Sequence, residues 1–114
     1  MVTIYHNPRC TKSRLTLQLL EERGEKVSVV LYLDTPPNKK TLKELIAKLG
    51  ISARELLRKG EAVYKDNNLN DSDLSDAKLI DAMVAHPILI ERPIVVKGKR
   101  AAIGRPPENV LDIL

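Results

Sequence analysis

The amino-acid sequence predicts an α/β fold in which one mixed four-stranded sheet carries helices on both faces. The chain opens with a β-α-β pattern of apolar residues, continues through several helical patterns, and closes with a β-β-α pattern. A sheet covered by helices is the layer arrangement that buries the apolar side of all these elements. At 114 residues the chain has the size of one ordinary domain, which we expect to span residues 1–114.

The first strand and the first helix are marked by a change in the spacing of apolar residues. Val2–His6 is β-branched and aromatic, which is typical of a strand, and Asn7-Pro8 ends it. From about Thr11 to Arg23 the sequence predicts a helix that stops at Gly24. Three leucines at helical spacing form its expected buried face: Leu15, Leu19 and Leu20.

The second predicted strand covers Val27–Tyr32, and nearly every residue in it is apolar. Such a run is typical of a strand that is buried on both faces and paired in parallel with its neighbour. We therefore expect the opening of the chain to be a parallel β-α-β unit with a right-handed crossover.

After a loop over Asp34–Asn38, the sequence predicts a second helix that closes at Gly50. Four apolar residues mark its buried face: Leu42, Leu45, Ile46 and Leu49. The next segment, Ser52–Glu55, matches a capping box, in which the serine caps a helix and the glutamate reaches back. It predicts a short helix that ends near Gly60.

The segment Lys65–Ser75 is rich in Asp and Asn, and we expect a surface loop there, anchored by Leu69 and Leu74. From Ser75 to about Ala85 the spacing of apolar residues predicts another helix, which Pro87 stops. Its expected inward side chains are Leu79, Ile80 and Met83.

The last part of the chain predicts a hairpin and a helix. Ile94–Val96 and Ala101–Ile103 are the expected third and fourth strands, joined by a turn over Lys97–Arg100. Pro106-Pro107 opens a final helix, with three expected buried residues: Val110, Leu111 and Leu114. The complete order is that of a thioredoxin-like fold, in which the reactive cysteine follows the first strand, at the position of Cys10.

Composition excludes several classes of protein. No apolar run approaches the roughly 20 residues of a membrane helix, and the first residues lack the pattern of a secretory signal peptide. We therefore expect a cytoplasmic protein with no membrane partner. The net charge of +4 favours anionic partners. With three Tyr and no Phe or Trp, the chain has few aromatic faces for stacking bases, so nucleic acid is not an expected partner.

A single cysteine, Cys10, excludes an internal disulfide. Together with only two histidines, His6 and His86, it also excludes a structural zinc site, and we expect no metal. One unpaired cysteine suits a reducing cytosol.

The surroundings of Cys10 predict a reactive thiol. It lies at the expected N-terminus of the first helix, where the free N–H groups of Lys12 and Ser13 point toward its sulfur. The positive end of the helix dipole favours the thiolate. Arg9 and Arg14 add positive charge nearby. Each effect lowers the pKa of the thiol; the alternative is a buried, inert cysteine.

Three residues close to Cys10 in the sequence bear on its chemistry: His6, Ser13 and Thr16. His6 can add a proton-dependent charge beside the thiol, the alternative being a histidine satisfied at the strand end. Ser13 occupies the place of the second cysteine in a Cys-x-x-Cys motif, so an external thiol, such as glutathione or a partner protein, must resolve the cysteine. Thr16 stands where a phosphatase-type loop needs its arginine.

Three arginines near the ends of predicted elements are candidates for binding an oxyanion: Arg58, Arg92 and Arg105. Guanidinium groups bind tetrahedral oxyanions through paired N–H donors. Arg92 precedes Pro93 at the opening of the third strand, and Arg105 precedes Pro106 after the fourth. The alternative for each is a solvated surface arginine.

Taken together in order, several segments resemble the glutathione- and glutaredoxin-dependent arsenate reductase family, whose fold is thioredoxin-like. The resemblance runs nearly from end to end of the chain. The matching segments are Ile4–Pro8, Cys10, Ser13-Arg14, Tyr32-Leu33, Pro36-Pro37, Gly50–Ser52, Leu56–Arg58, His86–Ile90, Arg92–Val96, Arg105-Pro106 and Val110–Leu114.

The resemblance implies a role for each candidate. Cys10 would attack arsenate, His6 would help to depress its pKa, and Ser13 would support the site. The three arginines, Arg58, Arg92 and Arg105, would hold the oxyanion, and Pro93 would be a cis-proline that exposes backbone to a partner. Glutathione would be the co-substrate and glutaredoxin the partner that regenerates the thiol, with arsenite as product and no bound cofactor or metal.

Two other functions stay open. The protein could be a glutathione-linked monothiol oxidoreductase that uses Cys10 on mixed disulfides. It could also be a regulator of similar fold that binds RNA polymerase. Such regulators typically carry a Cys-x-x-Cys switch, which Ser13 removes here, so this third function is the least favoured.

Overall fold

A computed structural model describes every residue of the chain, Met1–Leu114. The residues form two compact units. The first combines Met1–Thr35 with Arg92–Leu114, and the second is the continuous segment Pro36–Glu91. No helix is both long and apolar enough to span a bilayer.

The first unit is built on a four-stranded sheet. Its strands are β1 (Val2–His6), β2 (Val27–Leu31), β3 (Ile94–Lys97) and β4 (Arg100–Ile103). The spatial order is β2-β1-β3-β4. β1 and β2 pair in parallel, whereas β1–β3 and β3–β4 pair antiparallel. The predicted α/β class, mixed sheet and terminal hairpin are therefore confirmed.

The prediction that β2 is buried on both faces is wrong. Val29 is 44% exposed and Leu31 is 39% exposed. The physical reason is the position of β2 at the edge of the sheet, where it has one neighbouring strand instead of two. Its parallel pairing with β1 is as predicted.

The helix α1 (Thr11–Glu22) follows β1. Its buried residues are Ser13, Thr16 and Leu20, while Leu15 is 48% exposed. The predicted leucine face is therefore wrong at Leu15, because the helix turns two small polar side chains inward. Leu20 enters a core shared with the sheet and the last helix, formed by Val2, Ile4, Leu20, Val95, Val110 and Ile113.

The last helix, Pro107–Ile113, is a 3₁₀ helix. Residues three apart share a face of such a helix, and accordingly Val110 and Ile113 are buried. Leu111 and Leu114, which were predicted to be buried, are only partly covered. The prediction assumed the wider spacing of an α-helix.

The second unit is helical. It contains α2 (Lys39–Leu49), α3 (Ala53–Leu56), α4 (Ala62–Asp66), α5 (Asp76–Ala85) and a 3₁₀ turn at Pro87–Leu89. Two of the predicted helix ends are confirmed. Gly50 ends α2 in the left-handed conformation with φ 68°, and Ser52 and Glu55 form both hydrogen bonds of the capping box.

Two predictions for this unit are wrong. α3 ends at Leu56 instead of near Gly60, because Leu57 becomes extended and forms a bridge to Ile90. The expected loop over Lys65–Ser75 begins inside a short helix, α4, whose buried residue is Tyr64. Leu69 is buried, as an anchor should be.

Candidate active site

Cys10 is the N-cap residue of α1, with extended backbone angles of φ −96° and ψ 123°. The turn before it is held by the backbone N–H of Cys10, which donates to the carbonyl of Asn7 at 3.0 Å. The N–H of Arg14 donates to the carbonyl of Cys10, also at 3.0 Å, and so begins the helix. The side chain is partly exposed. Its sulfur is thus free for chemistry at the start of the helix.

Opposing influences act on the Cys10 thiol, and their sum lowers its pKa. Burial raises the pKa. Hydrogen bonds from the backbone N–H groups of Ser13 and Lys12, together with the hydrogen bond and positive charge of Arg92, outweigh it. Arg105 adds a further contact, with its Nη1 at 3.9 Å from Sγ. The thiolate is thereby favoured, as expected for a cysteine at a helix N-terminus.

Arg92 and Arg105 are brought together by the β3–β4 hairpin. The first residue of β3 lies opposite the last residue of β4, so the residues just outside the hairpin meet at one end. There the N–H of Gly104 donates to the carbonyl of Pro93 at 2.9 Å. Arg105 Nη1 donates to the carbonyl of Arg92 at 3.3 Å. The Arg92–Pro93 bond is cis, which is the geometry that the resemblance implies.

His6, Ser13 and Asn7 form a buried polar group behind the thiol. His6 Nδ1 lies 2.7 Å from Ser13 Oγ, which also accepts a hydrogen bond from the N–H of Asn7 at 3.0 Å. Burial, and then the positive charge of Arg14, lower the pKa of His6. A lowered pKa favours the neutral form of the ring. The ring contacts Ser13, whose N–H bonds the Cys10 thiol.

Arg58 lies in the second unit, just after α3. Its backbone N–H donates to the carbonyl of Leu89 at 2.8 Å. Its guanidinium binds two carboxylates, with Nη1 at 2.9 Å from Glu91 and Nε at 3.3 Å from Glu61. Arg58 is thus an anchored arginine whose charge is shared with two acidic side chains, and not the solvated one of the alternative.

Sequence reasoning missed several residues that hold the turn before Cys10. Asn7 is buried, and its Oδ1 accepts a hydrogen bond from the N–H of Arg9 at 3.0 Å. Arg14 donates to the carbonyl of Pro8 at 2.9 Å and to Thr11 Oγ1 at 3.2 Å. The Asn-Pro pair was the available signal for the turn, because asparagine side chains bond to the backbone two residues on.

Sequence reasoning also missed the structural role of Gly104. A Cβ atom on this residue would collide with the side chain of Thr16 and would lie 2.8 Å from Pro93 Cγ. Thr16 Oγ1 in turn donates to the carbonyl of Lys12 at 2.7 Å. The absence of a side chain at Gly104 therefore lets the first turns of α1 pack closely on the segment that carries the two arginines. No local sequence pattern predicts such a close approach between a helix and a distant segment of the chain.

The first unit thus combines an activated sulfur nucleophile with two guanidinium groups next to it. The thiolate can attack an electrophilic centre, and the guanidinium groups can hold the oxygens around that centre. Such a combination suits a substrate that is a tetrahedral oxyanion.

Comparison with known proteins shows the family to which the chain is related. The ArsC family model matches residues 5–113. An arsenate reductase from Neisseria meningitidis is 48% identical over 99% of this chain and 97% of its own length. The solved structure of an arsenate reductase from Vibrio cholerae is 54% identical, with a TM-score of 0.97 over 99% of this chain and 97% of that one.

Another relative, named "Uncharacterized protein YfgD" from Escherichia coli strain K12, is 59% identical over 99% of this chain and 96% of its own length. The family match covers nearly the whole chain, including the cysteine and all three arginines. The chain therefore belongs to the ArsC family, among relatives that are named arsenate reductases and share its thioredoxin-like fold.

Proposed function

We propose that the protein reduces arsenate to arsenite through Cys10, with glutathione and glutaredoxin as external thiol donors. One observation carries the proposal: the Cys10 sulfur lies at the start of α1 beside the guanidinium groups of Arg92 and Arg105. Attack on arsenate needs both a nucleophile and cations that hold the oxyanion. The arsenate reductases among the relatives support the same substrate.

In the first step the Cys10 thiolate attacks arsenic. A sulfur–arsenic bond forms and one arsenic–oxygen bond breaks, and the departing oxygen takes up protons and leaves as water. Arg92 and Arg105 hold the remaining oxygens through charge-assisted hydrogen bonds. Arsenic is still As(V) in this adduct.

In the second step a glutathione thiolate attacks the adduct. A disulfide forms between Cys10 and glutathione while the sulfur–arsenic bond breaks. The electron pair of that bond stays on arsenic, which becomes As(III) and leaves as arsenite. Glutaredoxin then removes glutathione from Cys10 by thiol–disulfide exchange. Because the chain has no second cysteine, both thiols must come from outside.

The other site residues have supporting roles in this proposal. His6 fixes Ser13, and the N–H of Ser13 stabilises the thiolate. Pro93, which follows a cis bond, is the residue to which the resemblance assigns contact with the thiol partner. The role of Arg58 as a third oxyanion ligand stays a prediction of the resemblance; its guanidinium pairs with Glu61 and Glu91 within the second unit.

The test is turnover with arsenate, glutathione and glutaredoxin, followed as NADPH oxidation through glutathione reductase. We expect wild-type turnover to require arsenate and both thiols, and Cys10→Ser to abolish it. Arg92→Ala should lower kcat/KM for arsenate by about 10²-fold or more, because it removes a cation from the developing charge. Arg23→Ala, at an exposed position that ends α1, is the matched control and should retain full activity.

Two outcomes would contradict the proposal: arsenate-dependent turnover that survives in Cys10→Ser, or none in the wild type. A glutathionylated peptide should be assayed with the same reductants. Turnover of that peptide in place of arsenate would assign the activated thiol to a glutathione-linked monothiol oxidoreductase.

A further inference from the structure

A groove of about 450 Å³ lies within the first unit, at the carboxyl ends of β1 and β2. One wall is the segment 6–9, which leads from β1 to Cys10. The other wall follows β2 and includes Leu31, Leu33 and Asp34. The crevice outside the carboxyl ends of parallel strands is a recurrent position for ligands, and this volume falls in the range of small-molecule sites.

The groove carries one positive and one negative side chain that the protein itself does not neutralise. Arg9 and Asp34 both line it and are both exposed. Neither side chain forms an ion pair or hydrogen bond within the chain. Because neither charge has a partner in the chain, each is available to a ligand group. A ligand that carries both an ammonium and a carboxylate can satisfy both.

His6 supplies a buried polar surface to the same groove. Only 6% of the residue is exposed, yet it forms part of the lining. Because Nδ1 is engaged with Ser13, the ring has Nε2 left for a further partner. The partly exposed side chains of Leu31 and Leu33 supply apolar contact. The groove thus offers polar groups that can orient a ligand beside apolar side chains that can pack against it.

We propose that this groove binds the zwitterionic end of the small external thiol, with Asp34 holding the ammonium group and Arg9 the carboxylate. The inference rests on the proposed function in one respect: the single cysteine must receive its electrons from an outside thiol. A thiol with an α-amino acid end, as glutathione has, matches both charges. The wall of the groove runs directly into Cys10, whose N–H is bonded to the carbonyl of Asn7.

Binding is tested first, without arsenate, using S-methylglutathione, which cannot react. In ¹⁵N-labelled wild-type protein we expect amide shifts concentrated at residues 6–9 and 31–34. Asp34→Asn preserves the shape of the side chain and should raise the Kd about tenfold, equivalent to about 1.4 kcal/mol. Asp66→Asn, at an exposed position of α4, is the matched control and should leave the Kd unchanged.

A second probe identifies the group that Asp34 binds. N-acetyl-S-methylglutathione lacks the ammonium group, so it should bind the wild type about tenfold more weakly and lose nothing further in Asp34→Asn. In the coupled assay, Asp34→Asn should raise the KM for glutathione by a similar factor. It should leave unchanged the KM for arsenate and the rate at which iodoacetamide alkylates Cys10.

An equal Kd for wild type and Asp34→Asn, or shifts confined to other residues, would overturn the inference. The two proposals can fail separately. A protein that binds S-methylglutathione in the groove but does not reduce arsenate keeps this inference and refutes the proposed function. If the wild type reduces arsenate and Asp34→Asn has an unchanged KM for glutathione, the proposed function stands and this inference is refuted.

Discussion

The pKa of the Cys10 thiol is set by partial burial and by the hydrogen-bond donors around the sulfur. Burial raises its pKa, and the N–H groups of Ser13 and Lys12 together with Arg92 lower it further than burial raises it. A lowered pKa means that more of the side chain is thiolate at neutral pH than in a free cysteine, and the thiolate is the reactive form.

The alkylation rate of Cys10 should therefore depend on pH in a defined direction. Because the folded-state pKa lies below the ordinary value, the reaction with iodoacetamide should stay fast as the pH falls through the range in which an unfolded cysteine is already protonated. In Arg92→Met the inflection should move to higher pH, because a hydrogen bond and a positive charge are lost. The measurement is the alkylation rate against pH, with urea-unfolded protein as reference.

Arg23→Met is the control for that series, since this arginine lies at the far end of α1. Its inflection should match the wild type. Coincident profiles for folded and unfolded protein would contradict the account of the thiol given above.

Single residues also mark how far sequence reasoning reaches. Cys10 could be predicted as a reactive thiol because the start of a helix can be located from local sequence. Its contacts with Arg92 and Arg105 depend on pairing between distant strands and could not be predicted from local sequence. The lowered pKa of His6 follows mainly from burial of the ring, which only the folded chain establishes.

Among the elements, α1 departs from the usual relation between hydrophobicity and burial. It buries Ser13 and Thr16 and leaves Leu15 largely exposed. The polar residues face inward because one bonds His6 and the other packs against Gly104. Apolar periodicity fails in a helix whose inner face belongs partly to a functional site.

Two leucines of α1 test this orientation. Leu20→Ala should lower the free energy of unfolding by about 2–5 kcal/mol, because Leu20 is fully buried in the core. Leu15→Ala should change it by no more than about 0.5 kcal/mol, because Leu15 is an exposed surface residue. Urea denaturation of both variants measures the difference. Equal losses would mean that the helix face is assigned incorrectly.

Close contact between α1 and the hairpin depends on Gly104. Gly104→Ala inserts a Cβ against Thr16 and Pro93, which should cost about 1–3 kcal/mol through overpacking. It should also move the inflection in the pH profile of Cys10 alkylation to higher pH, because the segment that carries Arg92 and Arg105 is pushed away from the thiol. Alkylation profiles and urea denaturation of the variant measure both effects.

The double variant Gly104→Ala/Thr16→Ala is the control for that substitution. It relieves the contact with Thr16 and should recover part of the stability. A Gly104→Ala protein with wild-type stability and an unchanged thiol inflection would show that the close packing is unimportant.

At the scale of the molecule, the order of elements and the class of sheet were predictable because each element has a local signature. The place of a strand within the sheet was not. β2 has the composition of an interior strand but lies at the edge. The short helix α4 was not predicted because it lies beside a polar segment and has too few turns to show a periodic pattern of apolar residues.

Binding of oxyanion should stabilise the whole molecule by mass action. At a concentration of arsenate 100 times its Kd, the free energy of unfolding should rise by about 2.7 kcal/mol. Arg92→Ala should lose most of this increase, because it removes one of the groups that bind the anion. Thermal unfolding with and without arsenate measures it, against chloride at equal ionic strength. Equal stabilisation of wild type and variant would place the anion elsewhere.

The first unit is interrupted in sequence by the second, and this governs when the site can exist during synthesis. Cys10 and Arg105 lie in contact but are 95 residues apart in the chain. The central strand β1 can pair with its antiparallel neighbour only after β3 has been synthesised. Closing so long a loop carries an entropic cost and slows folding. The nucleophile is thus synthesised 95 residues before Arg105, so a nascent chain carries the cysteine well before it carries the complete site.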